Sequence, residues 1–298
     1  MATISYWKIR KKLSVSIKYL LLFLVLIFFL FPVYWLILTS VKYPGDINSN
    51  PIVWITTRLT VDNFKLLFGY KGAVWGEKGY VGRSYMQSIA PFLINSIGIG
   101  TISTLIAMIL GANFAYGIVR FNFGRQNLYT WLLSLRMIPP VVISIPMFLI
   151  FNTFRMLNTW TSLIIAYLLT NIPFVTLMLI GFFKDIPSDI PDAARIDGYT
   201  QVGAFYKVVL PLILPGLVAV FIISFLFNWN ELLIAATLTT SDASQTFPVF
   251  TANFVQVERG TAWGIAAAGG VVGILPVVLL SSYIQKYMLR GLSMGAIR

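Results

Sequence analysis

The chain has 298 residues, of which 58% are hydrophobic and only 11% are charged, and its mean hydropathy is +0.82. An average soluble domain carries about 25% charged residues, so this composition indicates a membrane protein. The chain contains no Cys and no His, which excludes disulfides, thiolate metal sites and the most common general base. The net charge of +12 comes from basic residues in tails and loops between apolar blocks, and it does not indicate nucleic acid binding.

Six apolar stretches are long enough to cross the hydrocarbon region, which takes about 20 helical residues. The predicted fold is an all-α polytopic membrane protein with six transmembrane helices. The third and sixth stretches contain prolines, so we expect them to be kinked or locally broken. The stretches run from Ile17 to Thr39, Phe92 to Tyr116, Leu128 to Phe151, Ser162 to Phe183, Leu212 to Ala235 and Trp263 to Tyr283.

The distribution of Lys and Arg predicts the orientation, because cytoplasmic loops carry the excess of basic residues. Both termini and the loop 184–210 are predicted to be cytoplasmic, since they fall on the more basic side when short loops are compared. The chain divides into a basic N-terminal tail 1–16, a first span 17–39, an extracytoplasmic loop 40–91, a five-helix core 92–284 that includes the loop 184–210, and a C-terminal tail 285–298.

The loop 184–210 contains helix start and stop signals. Asp189 is expected to cap a short helix, and Gly198 to end it in the left-handed conformation. Thr200 can cap a second short helix, which Pro211 is expected to end. The loop therefore predicts a helix-turn-helix that lies along the membrane surface.

The first of these two helices presents alanines, so another surface could approach its backbone closely. From the physics alone, the more common interpretation is an interfacial amphipathic helix that only stabilises the bundle. The alternative is a structured surface that receives a second protein.

Short segments spread along the chain carry a further pattern. They are Ala115 to Phe121, Arg136 to Pro140, Leu157 to Thr159, Phe182 to Pro187, Asp192 to Gly198, Val209 to Pro211, Trp229 to Glu231, and Tyr287 to Ala296. In order and spacing these segments resemble binding-protein-dependent ABC transporter permeases, with the loop 184–210 as their EAA loop. The last two resemble the carbohydrate-uptake branch, of which the maltose-type second permease subunit is the best-known member. The resemblance extends from about Asn95 to Arg298.

The resemblance implies a mechanism in which the EAA helix is a coupling helix that rests in a cleft of a separate ATPase subunit. ATP-driven closure of two such subunits would move the spans between inward- and outward-facing states. The tail around Gly291 and Gly295 is a further candidate for contact with the ATPase. The coupling contacts carried over to this chain are Asp192, Ala193, Ala194, Asp197 and Gly198.

The resemblance also implies partners in the plasma membrane. They are a second, non-identical permease subunit, two ATPase subunits, an extracytoplasmic sugar-binding protein, the sugar and membrane lipid. The chain lacks the phosphate-binding pattern G-x-x-x-x-G-K-[ST], so ATP and Mg are expected on the partner subunits, with no catalytic residue, metal site or cofactor in this chain.

The chain departs from the family pattern in places. Asp192 stands where Glu is usual, and Tyr199 follows the glycine where a small residue is usual. The glycine-rich stretch from Gly69 to Met86 resembles an insertion in the first outer loop. It is either a passive cap or a docking surface for an outside partner.

Ionisable and amide side chains within the apolar stretches are candidates for the substrate pathway. A charge at a helix centre costs about 2.5–3.5 kcal/mol on insertion scales, so Arg136 and Glu231 need partners or water. Asn228, Asn230 and Glu231 could hydrogen-bond a sugar, with Trp229 as a stacking face. The alternative is that these residues tie helices together or lie near the membrane boundary.

Other functions remain open from the residues. An ABC importer for a non-sugar solute would share the same loop. A secondary transporter commonly shows internal repeats, and no convincing repeat occurs here. An intramembrane enzyme without His or Cys would need carboxylate or Ser-Lys chemistry, and no clustered pair occurs in the sequence.

Overall fold

The computed structural model describes residues 2–70, 88–254 and 262–295, with side chains for 14–70, 88–124, 127–254 and 262–284. Regular structure within these residues is helical, apart from one isolated antiparallel bridge between Lys42 and Leu59. The predicted all-α class is confirmed. Residues 71–86 of the glycine-rich stretch lie outside the described residues.

The helices follow one another with short connections, and a π-helical turn, Phe205–Val209, lies between α9 and α10. They are α1 Ala2–Val41, α2 Pro44–Ile47, α3 Asp62–Leu67, α4 Ala90–Phe121, α5 Arg125–Met137, α6 Pro140–Thr153, α7 Trp160–Lys184, α8 Asp189–Ile196, α9 Gln201–Ala204, α10 Leu210–Leu212, α11 Leu214–Trp229, α12 Leu233–Leu238, α13 Phe247–Ala252 and α14 Trp263–Gly295.

Among the described residues, four segments are long and apolar enough to cross a membrane unaided: Ser14–Val41 in α1, all of α4, all of α7, and Trp263–Ile284 in α14. Two further candidates are bent pairs. The first joins α5 to α6 at an angle of 89°, and the second joins the helical run from α9 through α10 to α11 at 77°. The total reaches the predicted six if each bent pair makes one crossing.

Proline has opposite outcomes in two of the predicted spans. The expected break in the third span is confirmed, because α5 ends before the extended residues Ile138 and Pro139 and α6 begins at Pro140. Pro276 does not break the sixth span, since α14 is helical on both sides of it. A membrane helix tolerates proline where neighbouring groups satisfy the freed carbonyl.

The predicted fifth span, Leu212 to Ala235, is wrong in its course. Helix α11 starts at Leu214 after a bend at Ile213 and stops at Trp229, and the next three residues precede the separate helix α12. Glu231 therefore lies in a helix-to-helix connection. Apolar composition alone could not reveal this break, because the residues on both sides are equally apolar.

The chain divides into two compact units, one made of residues up to 87 with 254–272 and one made of 88–253 with 273–298. In the second unit α4 and α7 pack along each other. Gly111 makes this possible, because a Cβ atom there would lie 2.7 Å from Cγ1 of Val175. Small residues at such contacts let helices approach closely in membranes.

Candidate coupling loop and intramembrane polar groups

The first helix of the 184–210 loop, α8, begins one residue earlier than its predicted cap implied. Asp189 is its first residue, and the N-cap position belongs to Ser188, whose side chain caps no backbone N–H. Asp189 and Asp192 both lie in the first turn, where carboxylates interact favourably with the helix dipole. The prediction that Asp189 caps the helix is therefore wrong, whereas the helix itself lies where it was expected.

The turn at the end of α8 has the predicted left-handed conformation, with a φ of +93° at Gly198. The amide of Gly198 donates to the carbonyl of Arg195 (3.1 Å) and that of Tyr199 to the carbonyl of Ala194 (3.1 Å). Among the described residues, and apart from its two chain neighbours, no atom lies within 4 Å of the position that a Cβ at Gly198 would occupy, so backbone conformation rather than space favours glycine. The unusual Tyr199 ring lies 5.8 Å from the Lys207 ammonium.

The second helix of the loop starts as predicted but does not end as predicted. The Thr200 hydroxyl accepts a hydrogen bond from the amide of Gly203 (3.0 Å), as an N-cap should. Pro211 does not end the helix, which continues through the π-turn and α10 to Leu212. The wider π-turn includes Lys207, the residue four positions before the proline, where a regular helix would bring a carbonyl against the proline ring.

The exposed face of α8 differs from the expected alanine face. Ala194 is only 5% exposed and packs into the protein, whereas Ala193 is exposed. Ile196 is 88% exposed at the end of the helix. Asp189, Ala193 and Ile196 share one exposed face, because they are spaced by four and three residues. Sequence reasoning missed Ile196, although an isolated apolar residue beside Asp197 was the available signal.

Asp192 forms a salt bridge with Arg120, which lies in the last turn of α4. The side chains are 48% and 23% exposed, respectively. A pair this exposed adds little stability, but it fixes the position of α8 against a span. Asp192 was expected to contact a partner, and in this structure its carboxylate is engaged within the chain.

An aromatic cluster supports the loop from inside. The ring of Tyr116 in α4 stacks on Phe205 in the π-turn, with centroids 4.5 Å apart, and meets Phe183 in α7 at 5.5 Å. Phe183 and Phe205 are buried. The cluster therefore joins α4, α7 and the π-turn beneath the loop.

Among the pathway candidates, Asn228 is buried in a polar network between three helices. Its amide nitrogen donates to the hydroxyls of Ser103 and Thr104 at 3.0 Å each, and its carbonyl oxygen accepts from Asn171. Ser224 donates to the Asn171 carbonyl oxygen at 2.8 Å. The network uses the hydrogen-bonding groups of Asn228 inside the bundle, which favours the helix-tying alternative for this residue.

Trp229 offers no open ring face to a sugar. Its side chain is 2% exposed, and the ring stacks on Phe247 with centroids 5.4 Å apart. The indole N–H donates to the carbonyl of Gly273 at 3.2 Å. These contacts occupy the ring faces and the donor of Trp229 inside the bundle, which favours the helix-tying alternative over the stacking role for this residue.

Glu231 caps a helix. One carboxylate oxygen accepts from the amide of Ile234 (2.8 Å), and the other accepts from the amide of Ala235 (2.9 Å) and the hydroxyl of Tyr167 (3.4 Å). These bonds satisfy the free N–H groups at the start of α12. Asn230, by contrast, is exposed and donates only to the carbonyl of Leu226 among the hydrogen bonds described for its side chain (2.8 Å).

Arg136 is exposed in the last turn of α5, above two aromatic rings. Its guanidinium carbon lies 4.9 Å from the ring centroid of Phe174 and 5.6 Å from that of Phe227. One guanidinium nitrogen donates to the carbonyl of Thr170 at 3.4 Å. The five pathway candidates thus separate into buried bundle contacts at 228 and 229, a helix cap at 231, and exposed polar groups at 136 and 230.

Comparison with known proteins gives a family match. The family model described as "Binding-protein-dependent transport system inner membrane component" matches residues 103–294, which is more than half of the chain. The matched region includes both bent pairs, the 184–210 loop and all five pathway candidates.

Similar proteins extend this match along the chain. The trehalose transport system permease protein SugB of Mycobacterium tuberculosis is 36% identical over 90% of this chain and 92% of its own length. The sulfoquinovosyl glycerol transport system permease protein SmoH of Agrobacterium fabrum is 32% identical over 90% of this chain and 89% of its own. Among solved structures, a bacterial ABC transporter involved in the import of alginate has a chain that superposes with a TM-score of 0.70 at 17% identity, covering 93% of this chain and 96% of that one. That structural likeness concerns the fold.

Proposed function

This chain belongs to the family of inner membrane components of binding-protein-dependent transport systems, and on that premise we propose that it is the permease subunit of an ATP-binding-cassette sugar importer. The observation that carries the proposal is the pair of permease relatives that are at least 32% identical over 90% of the chain, from transport systems for trehalose and sulfoquinovosyl glycerol. The inner membrane family and the apolar helices support a location in the plasma membrane as a multi-pass protein.

The coupling surface of this proposal is the exposed face and end of α8. Ala193, Ile196, Asp197 and Gly198 are exposed there, so an ATPase subunit could cover them without rearrangement of the chain. Burial of Ile196 would provide an apolar anchor, worth about 2–3 kcal/mol. Asp192 and Ala194 have a supporting role in this scheme, because they attach α8 to the rest of the protein.

The pathway residues of this proposal are Arg136 and Asn230. An exposed guanidinium within a membrane segment is too costly to leave against lipid, so it faces water or another protein surface. Phe174 and Phe227 lie beneath Arg136 and leave its outer donors available for sugar hydroxyl groups. Asn228, Trp229 and Glu231 would then shape the bundle that positions these groups.

The partners of this proposal follow from the chemistry of import. Two ATPase subunits would bind ATP and Mg and sit against α8, with the tail at Gly291 and Gly295 as a second contact. A second, non-identical permease subunit would complete the pathway, and an extracytoplasmic binding protein would deliver the sugar. Both termini and the 184–210 loop would be cytoplasmic, as the distribution of basic residues indicates.

The deciding experiment is to purify the complex that contains this chain, identify its subunits, and measure ATP hydrolysis with a panel of sugars and the cognate binding protein. Stimulation by one sugar class supports the proposal. Stimulation by amino acids alone would move the function to a non-sugar solute. Purification without any ATPase, together with uptake driven by an ion gradient, would show that the protein is a secondary transporter and not an ABC importer subunit.

A further inference from the structure

A cleft of about 270 Å³ lies in the first compact unit, where α1 ends and α14 begins. It is lined by Trp35, Thr39, Lys42, Ile47, Asn48 and Trp263. The apolar span in α1 ends at Val41, and that in α14 begins at Trp263. The cleft therefore lies where two candidate spans end, which is the level that their length and composition assign to the membrane boundary.

Lys42 is the unusual residue of the cleft, because it is a lysine only 1% exposed. Its ammonium donates to the carbonyl of Val53 and lies 4.2 Å from the ring centroid of Trp35. Among the described residues it has no carboxylate within salt-bridge distance. An ammonium group has three N–H donors, so this one can also donate to acceptor atoms of a ligand.

The surroundings of Lys42 explain why an anion is favoured. Burial lowers the pKa of Lys42, and the nearby Asp46 raises it in opposition. The Asp46 carboxylate acts on Lys42 only from beyond salt-bridge distance, and it accepts a hydrogen bond from the Thr56 hydroxyl at 2.7 Å. A buried charge is costly unless it is paired, so an anion that enters the cleft would recover part of this cost.

The aromatic residues of the cleft make a sugar ring a poorer occupant. Trp35 would be the natural stacking platform, but its ring contacts those of Phe31 at 6.3 Å and Trp54 at 5.4 Å in addition to the Lys42 ammonium. Trp263 is half exposed at the start of its span, which is the position that amphipathic rings prefer at a lipid interface.

We propose that this cleft binds the phosphate group of an anionic phospholipid, with the Lys42 ammonium as its charge partner and the Thr39 hydroxyl and Asn48 amide as hydrogen-bonding neighbours. The lipid is the favoured source of phosphate because the cleft lies at the depth of the head groups, beside the lipid tails. Inorganic phosphate offers the same chemistry from the aqueous side. This site is separate from the sugar pathway, and its test does not depend on transport.

The test uses the purified full-length chain in mixed micelles, titrated separately with dioleoylphosphatidylglycerol, dioleoylphosphatidylcholine and inorganic phosphate, with bound ligand measured by native mass spectrometry. Lys42→Met keeps the apolar stem and removes the charge. We expect it to weaken phosphatidylglycerol binding at least about fivefold, since one Lys near an anionic membrane surface is worth about that factor. Lys65→Met is the matched control, because Lys65 belongs to the same unit but is exposed and paired with Asp62.

Each outcome of this test either supports or overturns the proposed phosphate site. Unchanged phosphatidylglycerol binding by folded Lys42→Met overturns the proposal, as does an equal loss in Lys65→Met. Displacement of the lipid by millimolar inorganic phosphate would keep the phosphate site and reject the lipid as its source. If Lys42→Met unfolds, Asn48→Leu carries the test, since Asn48 is exposed and lines the same cleft; unchanged binding by that variant then rejects the site.

Discussion

Arg120, in the last turn of α4, forms a salt bridge with Asp192, in the first turn of α8, and joins two parts of the chain that are 72 residues apart in sequence. The span and the loop that is proposed to receive the ATPase are thus attached by charge as well as by the aromatic cluster of Tyr116, Phe183 and Phe205. A push on α8 would reach α4 through both contacts.

Asp192→Asn is expected to lower transport more than stability. The pair is partly exposed, so its loss should change the free energy of unfolding by no more than about 1 kcal/mol, while α8 loses a fixed position against α4. Uptake in vesicles and thermal unfolding of the purified protein measure the two effects. The matched control is Asp62→Asn, which breaks the exposed Lys65 pair and should leave uptake unchanged. The charge-swapped double variant, Arg120→Asp with Asp192→Arg, should restore part of the uptake. No recovery in this variant would argue that the salt bridge does not couple α8 to α4.

Gly198→Asp is expected to abolish transport in a protein that still reaches the membrane. The left-handed backbone costs a non-glycine residue about 1–2 kcal/mol, and the described residues beyond its chain neighbours leave open space around the Cβ position. The defect should therefore lie in the contact with the ATPase. Uptake and membrane abundance are measured together, with Gly45→Asp as control because that glycine also has open space around it. Undiminished uptake by Gly198→Asp would refute the coupling role of this turn.

Ile196→Ala is expected to weaken binding of the ATPase subunit about tenfold or more. Each buried CH₂ group contributes about 0.8 kcal/mol, and the alanine variant loses most of the side chain. Affinity can be measured by titrating the purified ATPase subunit onto the permease in nanodiscs. Ile55, which is equally apolar and 80% exposed in the other unit, provides the control Ile55→Ala. Equal affinity for native protein and Ile196→Ala would exclude this residue as an anchor.

Arg136→Lys is expected to raise the KM for sugar uptake several-fold with a smaller change in kcat. Lysine keeps the charge but loses the planar group that lies on Phe174 and Phe227 and the fork of donors. Initial uptake rates over a range of sugar concentrations separate the two constants. Arg58→Lys, at an exposed position outside the spans, should change neither. A KM unchanged in both Arg136→Lys and Arg136→Ala would remove this residue from the pathway.

Asn228→Leu and Asn230→Leu are expected to have opposite effects. Asn228→Leu leaves the buried groups of Asn171, Ser103 and Thr104 without this partner, at a cost of about 1–3 kcal/mol for each group that stays unsatisfied. Its thermal unfolding temperature should fall, with the KM of the surviving protein unchanged. Asn230→Leu should keep its stability and raise the KM, because Asn230 is exposed. A stable Asn228→Leu with altered sugar affinity would reverse the assignment.

Local signals in the sequence predicted local structure well. Gly198 adopts the predicted left-handed conformation and Thr200 caps a helix as predicted, because both effects depend on neighbours within a few residues. The break before Pro140 was predictable for the same reason. The end of the second loop helix was not, since the helix passes Pro211 through a π-turn, and Phe205 in this turn packs against Tyr116 and Phe183 of other helices, which are distant in sequence.

The burial of individual side chains could not be predicted from the sequence. Ala193 and Ala194 are chemically identical neighbours, and only the packing of α8 decides which one is exposed. Asn228 and Asn230 look equally suited to a sugar in an apolar segment, yet one meets Ser103 and Thr104 of a distant helix and the other does not. The burial of Lys42 could not be predicted from the sequence, because a lysine after an apolar helix normally extends into water.

The sharp corner between α5 and α6 affects how lipid can surround the subunit in a bilayer. Where that pair crosses, the Pro139 carbonyl still accepts from the amide of Val142 (3.0 Å), but the extended Ile138 leaves the regular helical hydrogen-bonding pattern, and hydrocarbon cannot satisfy its peptide groups. The annulus of lipid tails around a solitary subunit must therefore be interrupted at this corner, by trapped solvent or by a neighbouring polypeptide. Membrane insertion and assembly are then parts of one process. An unassembled subunit would expose a hydrated, irregular backbone at this corner, which quality-control proteases could recognise.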